Sequence, residues 1–309
     1  MTPQTRIAAP AVDWLVLGAL VVAWGSAFAA LKIAVADIPP AWNTVWRMSV
    51  ATIVLALICA GRGERLPRLL PRPDPAWGWY SALGLVGLAA PFFLFAFAAQ
   101  GLPSAINAIC NGSSPLFTAA LAHLMLADER LDLRRGAGVA LGFLGLLVLV
   151  WPRLAPSTSG GGSVEALALG AAILGGLMYA VSNIITRKAP VLSSTAGALL
   201  MVLTGLAFAV AGALVTTPIP PVPPLKAIAA VVGLGIFSTA LGSVGYVWLV
   251  QRRGPVFMSM SIYLAPLWAT GLGVALLGER PGWTAFAALG LILLGVGLTT
   301  WRRRTVAET

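Results

Sequence analysis

Polar side chains at helical spacing, inside otherwise apolar stretches, are the first feature of the sequence that could do chemistry. Asn107 and Asn111 are four residues apart, so a helix would carry both on one face. The same spacing recurs twice later in the chain, between Tyr179 and Asn183 and between Ser259 and Tyr263. Lipid cannot satisfy amide or hydroxyl groups, so these faces should point at protein or at a water-filled cavity. They predict either a binding site for a small polar solute or hydrogen bonds between packed helices.

Two titratable side chains within the apolar stretches are further candidates for the site, Arg47 and His123. Arg47 is the clearest internal charge; it could attract a substrate carboxylate, or it could extend to the outer interface and bond loop carbonyls. His123 lies near the end of its stretch, where it could be a neutral interfacial imidazole or a titrating gate. The ten acids all fall at or beyond the edges of these stretches. With no carboxylate pair and no Cys/His cluster, the sequence predicts no enzyme activity, no metal site and no cofactor.

The elements that must position these residues are membrane helices. Hydrophobic residues make up 59% of the 309 and charged residues only 10%, whereas soluble domains have roughly 25% charged residues. Runs of about 20 apolar residues, the length that crosses a bilayer, predict an all-α membrane protein of ten transmembrane helices. We place the spans at 14–36, 41–60, 77–99, 103–126, 136–152, 165–186, 192–215, 226–249, 255–277 and 283–301.

The basic residues indicate orientation rather than nucleic-acid binding. The formal charge of +10 comes from Arg and Lys in short connections, without a soluble basic domain. If the N-terminus is cytoplasmic, 15 of the 20 Lys and Arg fall in inside segments and 4 in outside segments, with Arg47 inside a span. The positive-inside rule therefore predicts that both termini are cytoplasmic.

The two halves of the chain resemble each other. A shift of 151 residues aligns Gln100 with Gln251 and Pro115 with Pro266. We therefore predict a first repeat at 1–153, a flexible linker at 154–164 and a second repeat at 165–309. Five spans per repeat is an odd number, so the second copy is inverted in the membrane. Inverted repeats give two near-equivalent packings, which is the basis of alternating access in many transporters.

With this repeat the sequence resembles the drug/metabolite transporter superfamily, in particular its EamA-type ten-helix bacterial exporters of aromatic amino acids and other metabolites. The motifs that carry the resemblance are Trp24-Gly25-Ser26-Ala27-Phe28 with Lys32, Arg47, Pro115-Leu116-Phe117, Tyr179, Pro266-Leu267-Trp268 and Gly278-Glu279-Arg280. The first repeat has Asp128-Glu129 where the family usually has Gly-Glu, and helix capping or a loop ion pair is the expected role of this acid.

The resemblance implies a central cavity lined by the spans that carry the polar faces. It adds Trp24, Phe95 and Tyr246 to the candidate substrate-binding residues, which already include the three polar pairs described above. An inner-membrane exporter or facilitator of aromatic and other neutral amino acids follows as the leading hypothesis, with a small-molecule substrate and the lipid bilayer as its partners. Phosphorylated solutes such as nucleotide sugars would need several cavity Lys or Arg, and a membrane scaffold is the other alternative. Because the acids are peripheral, we expect downhill transport without ion coupling.

Overall fold

The computed structural model describes residues 11–125, 131–154, 162–253, 255–258 and 260–300. All regular secondary structure in these residues is helical. We number the helices by membrane span: α1 (Ala11–Ala34), α2 (Pro40–Gly61), α3 (Ala76–Gly101), α4 (Ser104–Gly112 and Ser114–Met125), α5 (Leu133–Leu154), α6 (Gly162–Thr186), α7 (Ser194–Thr216), α8 (Leu225–Gly233, Leu234–Leu241 and Gly242–Arg253), α9 (Pro255–Met258 and Met260–Leu277) and α10 (Trp283–Thr300).

These helices confirm the prediction of an all-α membrane protein with about ten spans. Among the described residues, seven helices are long and apolar enough to cross a bilayer, and α9 and α10 add shorter apolar helices. The fourth span was expected to be continuous, but α4 is broken at Ser113. Pro115 has no N–H to continue the helical ladder, and the amide and hydroxyl of Ser113 both donate to the carbonyl of Cys110, at 3.2 and 2.6 Å.

Helix packing follows a two-fold pattern. The helix α5 packs along α10, and α2 packs along α7. The contact of α3 with α6 has its equivalent in α8 with α1, and that of α1 with α9 has its equivalent in α6 with α4. Each contact therefore recurs when a helix is exchanged for the one five places along the chain. The division into repeats at 154–164 stays a prediction, and residues 155–161 lie outside the described part of the chain.

A π-helical segment interrupts both α3 and α8. The two segments are Leu85–Ala89 and Leu234–Leu241. A glycine at each segment lets another helix approach closely: a Cβ on Gly84 would lie 2.6 Å from the carbonyl oxygen of Met201, and one on Gly235 would lie 2.8 Å from that of Arg47. Met201 in α7 and Arg47 in α2 therefore hold equivalent places in the two halves. π segments are often found at functional sites.

The bundle has two distinct ends. At one, which we call the arginine-rich end, α2, α6 and α8 finish and the buried Asp13 accepts hydrogen bonds from Arg252, at 2.8 Å, and from Arg253. At the other, which we call the opposite end, Trp42 Nε1 donates to the carbonyl of Pro218 at 2.8 Å.

Candidate functional site

Arg47 is enclosed by protein at the centre of the bundle. It is only 8% exposed, so its side chain does not extend to a membrane interface. Its Nε donates to Thr239 Oγ1 at 2.8 Å and its Nη2 donates to Ser238 Oγ at 3.0 Å. The guanidinium lies over the ring of Phe92, 3.7 Å from the centroid. No carboxylate of the described residues pairs with Arg47.

The π segment of α8 supplies the groups that hold Arg47. The hydroxyls of Ser238 and Thr239 donate to the carbonyl of Leu234, at 2.8 and 3.0 Å, which leaves both hydroxyl oxygens free to accept from the guanidinium. The Ser238 carbonyl in turn accepts the indole N–H of Trp24 at 3.0 Å. The same segment therefore positions a cation from α2 and an aromatic ring from α1.

Aromatic rings surround this cation. Phe95 stacks on Tyr179 with ring centroids 5.7 Å apart, and Tyr179 lies in the neighbourhood of Arg47. The ring centroids of Trp24 and Tyr246 lie 6.1 Å apart, and Tyr246 is 45% exposed. We call the following set the central cluster: Trp24, Arg47, Phe92, Phe95, Tyr179, Ser238, Thr239 and Tyr246. The structure thus brings together five residues that the sequence singled out, from α1, α2, α3, α6 and α8.

The asparagines of α4 flank this cluster. Asn107 is fully buried; its Nδ2 donates to the Phe95 carbonyl at 2.9 Å, while its Oδ1 has no hydrogen-bond partner among the described residues. Asn111 is half-buried beside the break in α4. An unpaired buried carbonyl oxygen loses hydration without replacement, so Asn107 has an unused acceptor next to the aromatic rings.

The remaining predicted residues lie farther from the cluster or outside the described part of the chain. Asn183 is exposed and donates to Thr118 Oγ1 at 3.2 Å, which joins α6 to α4. His123 is exposed at the arginine-rich end, about three turns along α4 from Asn111, and its Nδ1 accepts from the Leu131 amide at 3.1 Å. Ser259 lies outside the described residues, as does the side chain of Tyr263.

The two parts of α4 differ in burial. In the first part of α4, Ser104–Gly112, eight of nine residues are buried. In the second part, Ser114–Met125, only Leu116 and Ala122 are buried. The first part packs against α1 and α9, whereas the second part has no comparable contact with α9 within the described residues. The first part of α4 is therefore more deeply buried than the second part, and it packs more closely against α9.

Two surface grooves have a different character. They enclose about 700 Å³ between α1 and α9 and about 680 Å³ between α3 and α6. Neither lining contains a charged side chain, so these grooves suit lipid chains better than a polar solute. The central cluster, in contrast, contains a guanidinium group and two hydroxyls.

Sequence reasoning missed three members of the cluster: Phe92, Ser238 and Thr239. Phe92 was one of many apolar residues in its span. Ser238 and Thr239 did carry a signal, since two adjacent hydroxyl residues in the middle of a membrane span need partners. That signal did not identify Arg47 as the partner, because the contact depends on how α2 packs against α8.

A bundle of membrane helices with two similarly packed halves and an enclosed cluster of one cation, hydroxyls and aromatic rings defines a multi-pass membrane transporter. The model of the EamA-like transporter family matches the chain twice, at residues 12–151 and 163–301. The chain belongs to the EamA-like transporter family. The family and the named relatives below are transporters and not enzymes.

The relatives cover nearly the whole chain. The uncharacterized inner membrane transporter YedA of Escherichia coli strain K12 is 27% identical over 92% of this chain and 89% of its own length. An S-adenosylmethionine/S-adenosylhomocysteine transporter of Chlamydia trachomatis serovar D is 30% identical over 96% of this chain and 92% of its own. A probable terminal-alkyne amino-acid exporter of Streptantibioticus cattleyicolor is 26% identical, over 94% of each. A crystal structure with 22% identity shares the fold, with a TM-score of 0.64 over 94% of this chain and 98% of the other.

Proposed function

We propose that this inner-membrane transporter carries α-amino acids with aromatic or other neutral side groups, and related metabolites, by alternating access around the central cluster. Both termini and the arginine-rich end lie in the cytoplasm in this proposal. The observation that carries it is the buried guanidinium of Arg47, which no carboxylate of the described residues neutralises. We infer that the carboxylate of the substrate is the missing partner.

The chemistry of Arg47 favours this role over a purely structural one. An Arg at membrane depth costs roughly 2.5–3.5 kcal/mol on insertion scales, so such residues usually serve a pathway or bind a partner. The hydroxyls of Ser238 and Thr239 use two of the five N–H donors of the guanidinium and keep its plane fixed. The donors that remain suit a carboxylate, which guanidinium groups often bind through two parallel hydrogen bonds.

The rings around Arg47 suit the rest of an amino-acid substrate. Trp24, Tyr179 and Tyr246 offer π faces that stack on an aromatic side group and attract an ammonium group. The relatives named for S-adenosylmethionine and for a terminal-alkyne amino acid support the same head group, because both compounds contain an α-amino acid. We expect Asn107 and Asn111, which flank the cluster, to contact the polar parts of the substrate. We propose the same role for the other polar residues that the sequence singled out: Asn183, Ser259 and Tyr263.

The same features disfavour the alternatives. A nucleotide sugar carries two phosphates, and the central cluster holds a single guanidinium, so the cluster lacks the charge to bind it. A scaffold would not need a buried cation without a counter-ion. Two inverted repeats, 1–153 and 165–309, joined by the linker 154–164, would supply the two packings that alternating access requires.

Uptake by purified protein in liposomes tests the proposal. The labelled probes are phenylalanine, phenethylamine, which lacks the carboxylate, and a nucleotide sugar. We expect protein-dependent uptake of phenylalanine, weaker uptake of phenethylamine and none of the nucleotide sugar. Uptake of the nucleotide sugar alone, or uptake of phenethylamine equal to that of phenylalanine, would contradict the role of Arg47.

A further inference from the structure

The carboxylate of Glu279, in the loop after α9, closes over the first turn of α4. Its Oε1 accepts from the Ser104 amide at 2.6 Å, and its Oε2 accepts from the Ser104 hydroxyl at 3.0 Å and from the Ala105 amide at 3.2 Å. The helix dipole and the free amides of a first turn both favour a negative charge there. Glu279 therefore ties the end of α9 to the start of α4 and caps that helix.

Lys32 completes the same arrangement from α1. Its ammonium donates to the carbonyls of Ala99, at 2.7 Å, and Leu102, at 2.9 Å, at the end of α3. Lys32 and Glu279 also attract each other electrostatically. We call Lys32, Ser104 and Glu279 the terminal clasp. It joins α1, α3, α4 and α9 at the opposite end of the bundle.

The local backbone is shaped to deliver this carboxylate. Gly278 has a φ of 64°, a left-handed conformation that favours glycine, and it turns the chain back after α9. The Glu279 amide then donates to the Gly273 carbonyl at 3.0 Å. Gly273 faces the clasp directly, and a Cβ there would collide with the Glu279 carboxylate. A glycine in this conformation is a common end of a helix, and here it sets the position from which Glu279 reaches the first turn of α4.

The clasp lies at the start of the buried part of α4. It holds the first part of α4, the buried part, against α9. We propose that Glu279 and Lys32 act as a gate: the clasp keeps the central cluster closed at the opposite end, and it must break before the cluster can open there. This inference rests on the alternating access of the proposed function. It assigns these two residues to the equilibrium between the two packings and not to substrate contact.

The inference predicts a change in sidedness when the clasp loses charge. Glu279→Gln keeps the length of the side chain but removes the charge that strengthens its hydrogen bonds and attracts Lys32. Hydrogen bonds to charged groups are the strong ones, so we expect the state open at the opposite end to gain about tenfold in population. Lys32→Met tests the same clasp from α1 and should shift the equilibrium in the same direction.

The experiment measures the accessibility of one cysteine from each side of the membrane. The native Cys59 and Cys110, both buried, are replaced by alanine, and Asn111→Cys provides a reporter beside the break in α4. A membrane-impermeant thiol reagent is applied to right-side-out and to inside-out vesicles. In the parent, labelling should be fast from the arginine-rich side and slow from the Glu279 side. Glu279→Gln and Lys32→Met should each raise the slow rate by about tenfold.

Asp37→Asn is the matched control. Asp37 lies at the same end and pairs with Lys226 at 3.8 Å, but this exposed pair does not join α4 to α9. Its labelling pattern should stay parental. If both clasp variants fold and keep the parental rate from the Glu279 side, the gate is refuted while alternating access survives. If protein that keeps Asn111 shows no phenylalanine counterflow in liposomes, alternating access fails and the gate fails with it.

Discussion

Replacing Arg47 with methionine tests the substrate-binding role of this residue. Met201 already occupies the equivalent place in the second half, so a methionine fits such a site by length and shape. The substitution removes the guanidinium from Thr239, Ser238 and the Phe92 ring. It leaves neither hydroxyl unpaired, because both still donate to the carbonyl of Leu234.

The magnitudes separate transport from folding. A hydrogen bond to a charged group contributes about 1.5–3 kcal/mol, so the loss of a substrate carboxylate contact should raise KM about 10- to 150-fold. The free energy of unfolding should change by about 1 kcal/mol or less, because the lost hydrogen bonds are offset by removal of a buried charge. Arg47→Met should therefore transport phenylalanine poorly yet melt close to the parental temperature.

The assay is initial-rate uptake in liposomes over a range of phenylalanine concentrations, together with a thermal melt of the same preparations. Arg62→Met is the matched control: Arg62 follows the same helix and donates to Thr195 Oγ1 at 3.0 Å, but it lies at the arginine-rich end. It should keep the parental KM. A parental KM in Arg47→Met, or a loss of transport that only follows a loss of folded protein, would refute the reasoning.

Three further predictions concern topology, the cavity and energy coupling. Cysteine labelling from outside intact cells should mark Gly160→Cys and not Arg68→Cys, because the positive-inside rule predicts cytoplasmic basic loops. The reverse pattern would overturn both the predicted topology and the inverted repeat. Alanine substitution of four polar residues should reduce transport, measured as uptake per folded protein, more than it reduces the yield of folded protein. If all four variants transport at the parental rate, these side chains serve only helix packing. The residues are Asn111, Tyr179, Asn183 and Tyr246. An imposed pH or sodium gradient, with equal substrate on both sides of the liposome membrane, should produce no sustained accumulation of substrate, and His123→Ala should change the transport rate little. Accumulation that is abolished by His123→Ala would identify the histidine as a coupling site.

The helix content could be predicted from sequence because the length of an apolar run and the composition of the loops determine it. All ten predicted spans have a helical counterpart in the described residues. The internal alignment of Gln100 with Gln251 and of Pro115 with Pro266 pointed to the two similar halves that the family model also matches. These signals depend on local composition and spacing, which one chain contains in full.

The side that each helix turns toward its neighbours could not be predicted in the same way. A membrane helix that is apolar on all sides does not indicate which side meets lipid, so the partners of Arg47 stayed unknown. The π segments at Leu85–Ala89 and Leu234–Leu241 arise where glycines let neighbouring backbones approach, which is a tertiary contact. Asn107 illustrates the limit: its face was predicted, but its bond to the Phe95 carbonyl depends on how α3 packs against α4.

Counterflow is the most direct test of alternating access by this protein. Liposomes containing purified protein are loaded with unlabelled phenylalanine and diluted into labelled phenylalanine. A carrier whose single site faces alternate sides exchanges internal unlabelled phenylalanine for external labelled phenylalanine. We therefore predict a transient excess of label inside the loaded proteoliposomes. Proteoliposomes without internal phenylalanine and liposomes without protein should show no such excess. Equal label uptake by loaded and empty proteoliposomes would contradict the account.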